Sequence, residues 1–269
     1  MHQDPLFPEW NPAPREDEER LAELRAFDQL GRLAERYRSS PDFGALLDFV
    51  IRMRSLSPYN AALLHLQKPE AKQVLTAAEW RERGRRVLPG ARPAFLLHPG
   101  GPLRFVFDVG ETEGAPWSAG AGNVPPATVM LANLMQRARQ AGVAVMGPLF
   151  GPEPAGRLRR GDGPATFAIR LEGADDAERY AMLVYELARF FLGHLGGCDG
   201  CGREDRPPPD EISGRFEAGS VTAIVCGRAG VPAEEGEFVR GYLHNFGEAP
   251  ELSLDRVLRA AGRIERLSR

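Results

Sequence analysis

Residues Asp175 to Gly196 read DDAERYAMLVYELARFFLGHLG, and the rest of the chain is interpreted outward from this stretch. Apolar residues recur within it at spacings of three and four, which is the period of a helix with one buried face. The members of this stripe are Val184, Leu187, Ala188, Phe191, Leu192 and Leu195. The pattern predicts one amphipathic helix whose apolar side belongs to the core.

Within this predicted helix, Tyr185 to Arg189 read YELAR, in the frame where a zinc peptidase carries His-Glu-x-x-His. In that motif two imidazoles four residues apart on one helix face bind the metal, and the glutamate beside them acts as general base. Here the glutamate is present as Glu186, whereas Tyr185 and Arg189 stand at the two histidine positions. The frame is therefore kept without its imidazole ligands.

With its FFLGHLG continuation, this stretch resembles the ImmA/IrrE-type metallopeptidases, whose helix reads like HELAHLLLGHLG. In that family a second helix supplies a glutamate ligand, and here residues 214–231 read GRFEAGSVTAIVCGRAGV with Glu217 at the matching position. The resemblance runs from Ala165 to the C terminus, and Glu186 and His194 also match its pattern. It implies a zincin-like helical domain with a small sheet.

The two departures from the family pattern decide which chemistry the site offers. Arginine is permanently charged, so Arg189 supplies no metal ligand and would repel a cation from the position of the second histidine. Tyr185 would ligate only as a phenolate, which is scarce near neutral pH given a reference pKa of about 10. We therefore expect no metal at the family site and interpret Glu186 as a vestigial base. The alternative is an active zinc metallo-endopeptidase with non-standard ligands.

The arginine suggests a different use of the same geometry. Glu186 precedes Arg189 by about one helical turn, and the family resemblance brings Glu217 opposite. We therefore predict that Arg189 lies within hydrogen-bonding distance of Glu186 or Glu217, in a partly buried, metal-free ion cluster that holds two helices in register. An ordinary surface pair between Glu186 and Arg189 is the alternative.

Further candidate ligands follow the helix. His194 lies five residues beyond Arg189, so a continuing helix would point it away from the motif face, and we expect it to hydrogen-bond carbonyl groups at the helix end. With Cys198 and Cys201 it forms a H-x3-C-x2-C pattern, half of a zinc-ribbon signature. A structural zinc site in an interaction module, a redox-sensitive dithiol and an inert turn all stay open. Cys226 has apolar neighbours and is predicted to be a core residue.

A second resemblance lies in the N-terminal half. Residues 57–99 contain an asparagine that opens a leucine-rich helix, then a tryptophan helix, then a G-x-x-V-x-x-G turn leading into a strand. This order resembles the N-terminal single-stranded-DNA-binding domain of ArdC-type antirestriction proteins, over about residues 15–115. The matching residues are Asn60, Leu63, Leu64, Trp80, Gly84, Val87 and Gly90. Without the family, Trp80 is predicted to be a core anchor.

Arginines are dense in the same segment, at Arg81, Arg83, Arg85, Arg86 and Arg92. Guanidinium groups this close repel one another unless they are solvated or matched to anions. A patch that follows nucleic-acid phosphates and a merely solvated face are both open interpretations. Phe95, Phe105 and Phe107 in the following predicted strands are candidate platforms for stacking bases, although the alternation of a strand sends some of them to the core.

The size of the chain bounds its organisation. Its 269 residues, 43% of them hydrophobic, suffice for two ordinary domains. We predict a mostly helical α+β protein with a disordered lead at 1–14, an ArdC-like nucleic-acid-binding domain at 15–125 and an ImmA/IrrE-like (pseudo)peptidase domain at 126–269. The net charge of -3 gives no global basic signature, so nucleic-acid contact would need a local patch.

The three cysteines do not make a disulfide framework and fit a reducing compartment. Neither a signal peptide nor an apolar run long enough for a membrane span is visible, so we expect a cytoplasmic protein without membrane contact. The resemblances imply a catalytically inactive metallopeptidase homologue without a cofactor, acting as a bacterial regulator in a stress, mobile-element or defence context. Its expected partners are single-stranded nucleic acid and a protein, such as a DNA-bound regulator.

Overall fold

The computed structural model describes residues 37, 40–98, 103–118, 124–141, 143–146, 159–160, 167–171, 173–194 and 207–269. The helices are α1 (Ser40–Arg52), α2 (Pro58–Gln67), α3 (Ala77–Glu82), α4 (Ala127–Gln140), α5 (Asp176–Phe191), α6 (Glu211–Ala229), α7 (Glu234–Phe246) and α8 (Leu254–Ser268). The strands are β1 (Val74–Leu75), β2 (Arg85–Val87), β3 (Ala94–Leu96), β4 (Arg104–Asp108), β5 (Thr112–Gly114), β6 (Val143–Met146), β7 (Arg159–Arg160) and β8 (Phe167–Arg170). The predicted fold class, mostly helical α+β, is confirmed.

Several predictions fall outside the described residues. These are the disordered lead, the helix expected after Pro14 and the loop that contains Cys198 and Cys201. Of the helices that the structure does describe, none is long and apolar enough to cross a membrane.

Polar side chains fix the N-termini of the helices that matter for the site. Asp175 accepts hydrogen bonds from the first-turn amides of α5, and Asp210 does the same for α6. Thr76 and Glu79 form a reciprocal capping box on α3. Each cap satisfies amides that lack a partner within the helix, which sets where the helix begins.

Helix α6 lies at the centre of the helical part and packs against α1, α5, α7 and α8. It is buried almost all round from Gly214 to Cys226, which confirms that Cys226 is a core residue. Glycines let its neighbours approach closely, since a Cβ on Gly219 would lie 3.0 Å from Val239 Cγ2. A Cβ on Gly227 would likewise lie 3.1 Å from the Ile51 side chain. A helix buried on every side needs such small residues at its crossings.

The hydrophobic core runs from α1 and α2 into the C-terminal helices. Phe43 of α1 and Phe216 of α6, for example, have ring centroids 5.4 Å apart. Helices α1 and α2 therefore pack on α6 and α8, across the predicted domain boundary between residues 125 and 126. That boundary stays a prediction, and the contacts across it join the two halves.

The small sheets lie beside α2 and α3. Strands β1, β4 and β3 form one antiparallel sheet, and β2 pairs with β5. Trp80 is fully buried, and its indole Nε1 donates to the Phe107 carbonyl over 2.9 Å. The prediction of Trp80 as a core anchor is thus confirmed.

The outer edge of β3 is closed by two amide side chains of α2. Asn60 exchanges two hydrogen bonds of 2.9 Å with the backbone of Leu97. Gln67 does the same with Phe95, at 3.0 Å and 2.9 Å. Residues 60 and 67 are two helical turns apart and share one face, so the helix replaces a missing strand and holds the sheet against the helical part.

A third sheet leads into the motif helix. Strand β8 pairs in parallel with β6 and antiparallel with β7. The sequence suggests a basic turn at residues 157–160, but Arg159 and Arg160 instead form β7, so that expectation is wrong for these two residues. Pairing with β8 supplies the strand geometry that this polar sequence alone does not indicate.

Candidate functional sites

The first candidate site is the charged pair on α5. The Glu186 side chain is 5% exposed, and Arg189 one turn later is 28% exposed. Arg189 Nη1 lies 3.0 Å from Glu186 Oε2 and 3.2 Å from Oε1. The guanidinium therefore faces both carboxylate oxygens and supplies positive charge beside a buried anion.

Tyr185 stands next to this pair and is half-buried. Burial raises the pKa of its phenol, and Glu186 and Glu235 act in the same direction, while Arg189 and Arg215 oppose them. Burial and the two carboxylates thus all disfavour the phenolate. Tyr185 is accordingly a neutral phenol near pH 7, which is the form that does not suit a metal.

His194 differs from its sequence prediction. Helix α5 ends at Phe191, and Gly193 has a φ of +78°, a left-handed conformation that glycine adopts without strain. This turn directs the chain toward α6, where His194 Nε2 lies 2.9 Å from Glu217 Oε2. The expectation that the His194 side chain serves the helix-end carbonyls is therefore wrong, because the helix does not continue past Gly193.

Glu217 is fully buried on α6. Its Oε1 accepts a hydrogen bond of 3.2 Å from the backbone amide of Ser253, while Oε2 faces His194. Arg189 lies within hydrogen-bonding distance of Glu186, as the sequence predicts, whereas within the described part of the chain it makes no hydrogen bond to Glu217. Two separate pairs are present instead, and Glu217 connects α6 with the end of α5 and the start of α8.

The side chains at the positions of the family's ligands do not fit zinc. Arg189 is a cation, Tyr185 is a phenol with a raised pKa, and Glu217 hydrogen-bonds His194. Over the residues that the structure describes, no group of three or more His, Cys, Asp or Glu side chains is placed to hold a metal ion. Cys198 and Cys201 lie outside those residues, so the loop zinc site stays a prediction.

The second candidate site is the arginine-rich turn. Arg81, Arg83, Arg86 and Arg92 are exposed, whereas Arg85 is half-buried. Arg85 donates from Nε to Thr112 Oγ1 and from Nη2 to the Thr112 carbonyl, both over 2.8 Å. Its guanidinium thus supports the β2–β5 hairpin, and the prediction of Arg85 as a phosphate contact gives way to a structural role.

The other arginines of the turn differ in the partners that their side chains contact. Arg86 Nε lies 2.6 Å from Glu113 Oε1 in an exposed pair. Arg83 Nη1 donates over 2.8 Å to the backbone carbonyl of Glu79. Arg81 and Arg92 are exposed like Arg83, and none of the three has a carboxylate partner among the residues that the structure describes. Three of the five predicted cations therefore keep their charge uncompensated by a described carboxylate.

Phe105 is an exposed aromatic residue of β4, the strand that pairs with β3. It is 46% exposed and pairs across the sheet with Phe95, which is half-buried like Phe107. The preceding residue, Arg104, extends to Glu79 with an Nη2–Oε1 distance of 2.9 Å. Glu79 thus brings Arg83 and Arg104 to one turn of α3. Sequence reasoning missed Arg104, although its strand neighbour Phe105 was a candidate.

Comparisons with known proteins leave the family open. No family model matches the sequence, and no curated protein matches it. Among solved structures, the chain is similar to the Mn(II)-bound antirestriction ArdC protein from R388 plasmid, with 16% identity and a TM-score of 0.37 over 78% of this chain and 81% of that chain. The metal-free form of that protein gives 14% identity and a TM-score of 0.34 over the same shares. TM-scores this low do not by themselves establish a common fold or function.

Proposed function

We propose that the protein is a regulatory protein that binds single-stranded nucleic acid through the Phe105 patch. We define this patch as Phe95, Phe105, Arg81, Arg83, Arg92 and Arg104. The observation that carries the proposal is Phe105, whose ring is 46% exposed on a sheet of the same segment that carries the exposed arginines Arg81, Arg83 and Arg92. An exposed ring offers a stacking surface for an unpaired base, and the guanidinium groups attract the phosphates of the strand.

The composition of the patch favours a single strand over a duplex. Stacking requires a base that is free of its own neighbours, which a duplex does not offer without unpairing. Among the described residues, Arg81, Arg83 and Arg92 are the arginines of the patch without a carboxylate partner, so few counterions are released on binding. We expect a slope of log K against log salt of about -2, since each phosphate contact on a single strand contributes about -0.7.

The first test measures binding of a fluorescein-labelled oligothymidine by fluorescence anisotropy across a salt series. Phe105→Ala should weaken binding by about tenfold, because stacking contributes about 1 to 3 kcal/mol per base, and should leave the salt slope unchanged. Arg81→Gln, Arg83→Gln and Arg92→Gln together should weaken binding and flatten the slope. The two kinds of substitution therefore separate stacking from charge.

Arg240→Gln is the matched control, because Arg240 is an exposed arginine on α7 that pairs with Asp48, away from the patch. It should leave affinity and slope unchanged. Equal loss of binding in the control and the triple variant would show that binding depends on the overall charge of the protein and not on the patch. Absence of binding at low salt would reject the nucleic-acid proposal altogether.

We further propose that α5 and α6 form a disarmed peptidase-like scaffold. The support is that Arg189 contacts the Glu186 carboxylate and His194 contacts the Glu217 carboxylate, so that side chains of this protein hold both carboxylates. In this interpretation the C-terminal half binds a protein partner, such as a DNA-bound regulator, without cutting it. An active peptidase with non-standard ligands and an interaction module with a zinc in the Cys198/Cys201 loop are the rival functions.

Metal analysis of purified variants tests the scaffold. Tyr185→His with Arg189→His should take up zinc near one equivalent, because it restores two imidazoles four residues apart on a helix that faces Glu217. The matched control, Tyr185→Gln with Arg189→Gln, removes the same side chains without adding ligands and should take up none. Both are made in a Cys198→Ser, Cys201→Ser background, which removes the loop thiolates.

Each outcome of the metal analysis assigns one function. Zinc in the wild type that is lost with the two cysteines favours the interaction module. Zinc that persists without them favours the peptidase. A histidine double variant that folds normally but takes up no zinc would contradict the scaffold proposal, because Glu217 would then lie away from the family's ligand position.

A further inference from the structure

Helices α6 and α7 form an antiparallel hairpin whose register is fixed by close contacts. A Cβ on Gly219 would lie 3.0 Å from the Val239 side chain, and the rings of Phe216 and Tyr242 are 5.2 Å apart. Ile212 on α6 and Phe246 on α7 are each one turn further from the connecting loop than Phe216 and Tyr242. The same register therefore places Ile212 opposite Phe246. The open end of the hairpin therefore carries two neighbouring apolar side chains.

These side chains are exposed to an extent that the fold does not require. Phe246 is 67% exposed and Ile212 is 55% exposed. Tyr242 continues the row, with its ring centroid 4.5 Å from that of Phe246, and Phe238 follows at 6.2 Å from Tyr242. The Arg215 guanidinium lies over the Phe238 ring at 4.0 Å. We call Ile212, Arg215, Phe238, Tyr242 and Phe246 the hairpin-end patch.

Acidic residues flank the members of the hairpin-end patch along the chain. They are Asp210 and Glu211 before Ile212, Glu234 and Glu237 before Phe238, and Glu248 and Glu251 after Phe246. On the same two helices, Arg240 is paired with Asp48 and Arg228 with Glu265, which leaves Arg215 as the arginine that faces the aromatic row. An apolar, aromatic centre with a negative rim has the composition of a protein interface, in which charge selects the partner.

We infer that the hairpin-end patch docks a basic amphipathic helix of a partner protein. The apolar face of that helix would cover Ile212 and Phe246, and its lysines or arginines would meet the acidic rim. The same rim repels phosphate groups, so nucleic acid and anionic lipid surfaces are disfavoured at this location. The inference is independent of the Phe105 patch, which lies on a different part of the chain and has the opposite charge.

The test uses two labelled peptides of about 18 residues, long enough to form a helix on binding. One carries leucines on one face and lysines on the other, and its partner replaces every lysine by glutamate. The full-length protein should bind the lysine peptide and not the glutamate peptide in a fluorescence anisotropy titration. Ile212→Ser with Phe246→Ser should weaken binding by at least about tenfold, since central apolar side chains dominate such interfaces.

A second variant separates charge from apolar contact. Glu211→Gln, Glu234→Gln and Glu237→Gln together should lower the affinity and its dependence on salt, because they remove exposed rim charges without touching the apolar centre. Val129→Ser is the control, because Val129 is an exposed apolar residue of α4 outside the patch, and this variant should bind the lysine peptide like the wild type. Circular dichroism establishes that each variant is folded, so a loss of binding reports on the patch.

Three results would overturn the inference. Equal binding of the two peptides would show that charge does not select the ligand. Unchanged affinity of the Ile212→Ser, Phe246→Ser variant would place the contact elsewhere. Self-association of the wild type in sedimentation velocity, lost in that variant, would assign the patch to a second copy of this chain.

Discussion

Arg228→Ala should lower the free energy of unfolding by about 3 to 5 kcal/mol, which is the cost of removing one partner from a buried ion pair. Arg228 lies near the end of α6 with its side chain 3% exposed, paired with Glu265 of α8. Nη1 also donates to the carbonyls of Val50 and Met53, at 2.7 Å and 3.0 Å. One guanidinium thus satisfies carbonyl groups at the end of α1 and a buried carboxylate at once.

The same side chain holds the segment between α1 and α2. Nη2 donates to the carbonyls of Arg54 and Leu56, at 3.3 Å and 2.5 Å. Truncation would leave these acceptors and Glu265 without the cation, and the predicted loss includes the desolvation cost of these groups after the surroundings relax. Arg228→Lys should recover only part of the loss, because a single ammonium cannot reproduce the planar fork of donors.

Urea denaturation monitored by circular dichroism measures this effect. Arg240→Ala is the matched control, since its pair with Asp48 is exposed at 54% and 62% and should contribute less than about 1 kcal/mol. A loss for Arg228→Ala as small as that of the control would show that the N-terminal helices are not held through this residue.

Periodicity and local chemistry in the sequence account for most of the helices and strands. The sequence pattern predicts a helix from Ala127 and a strand at Val143–Met146, and the structure has the strand with these bounds and a helix that begins at Ala127. These elements follow from neighbouring residues, so the sequence contains their determinants. Gly193 is itself a signal for the end of a helix, because glycine adopts the left-handed conformation there. The expectation for His194 was wrong because it did not include this signal.

Contacts between distant segments could not be read in this way. Arg228 bonds a carbonyl that lies 178 residues earlier in the chain, and Asn60 pairs with a strand 37 residues later. Nothing near either residue indicates these partners, because tertiary packing selects them. The same holds for Arg85, whose place in an arginine-rich turn suggests a solvated charge although its guanidinium supports the β5 strand.

His194→Ala should lower the free energy of unfolding by about 3 kcal/mol, because it removes the imidazole from a carboxylate that is buried in the core. Glu217 is 0% exposed and the His194 side chain 5% exposed, so water does not reach this contact freely. His194→Gln should cost less, since the amide keeps a hydrogen-bond donor at the end of the side chain. The control is His244→Ala on the exposed side of α7, which should change stability by less than about 0.5 kcal/mol.

A double-mutant cycle assigns this cost to the pair. His194→Ala, Glu217→Gln and the combined variant are compared with the wild type by urea denaturation, and we expect a coupling energy of about 1 to 3 kcal/mol. Additive losses would mean that the two side chains stabilise the protein independently and that their distance of 2.9 Å does not represent a coupled pair. A large coupling would establish Glu217 as the residue that joins α5, α6 and α8. That structural role needs neither a metal nor a base, and it is the role that the disarmed-scaffold proposal requires of Glu217.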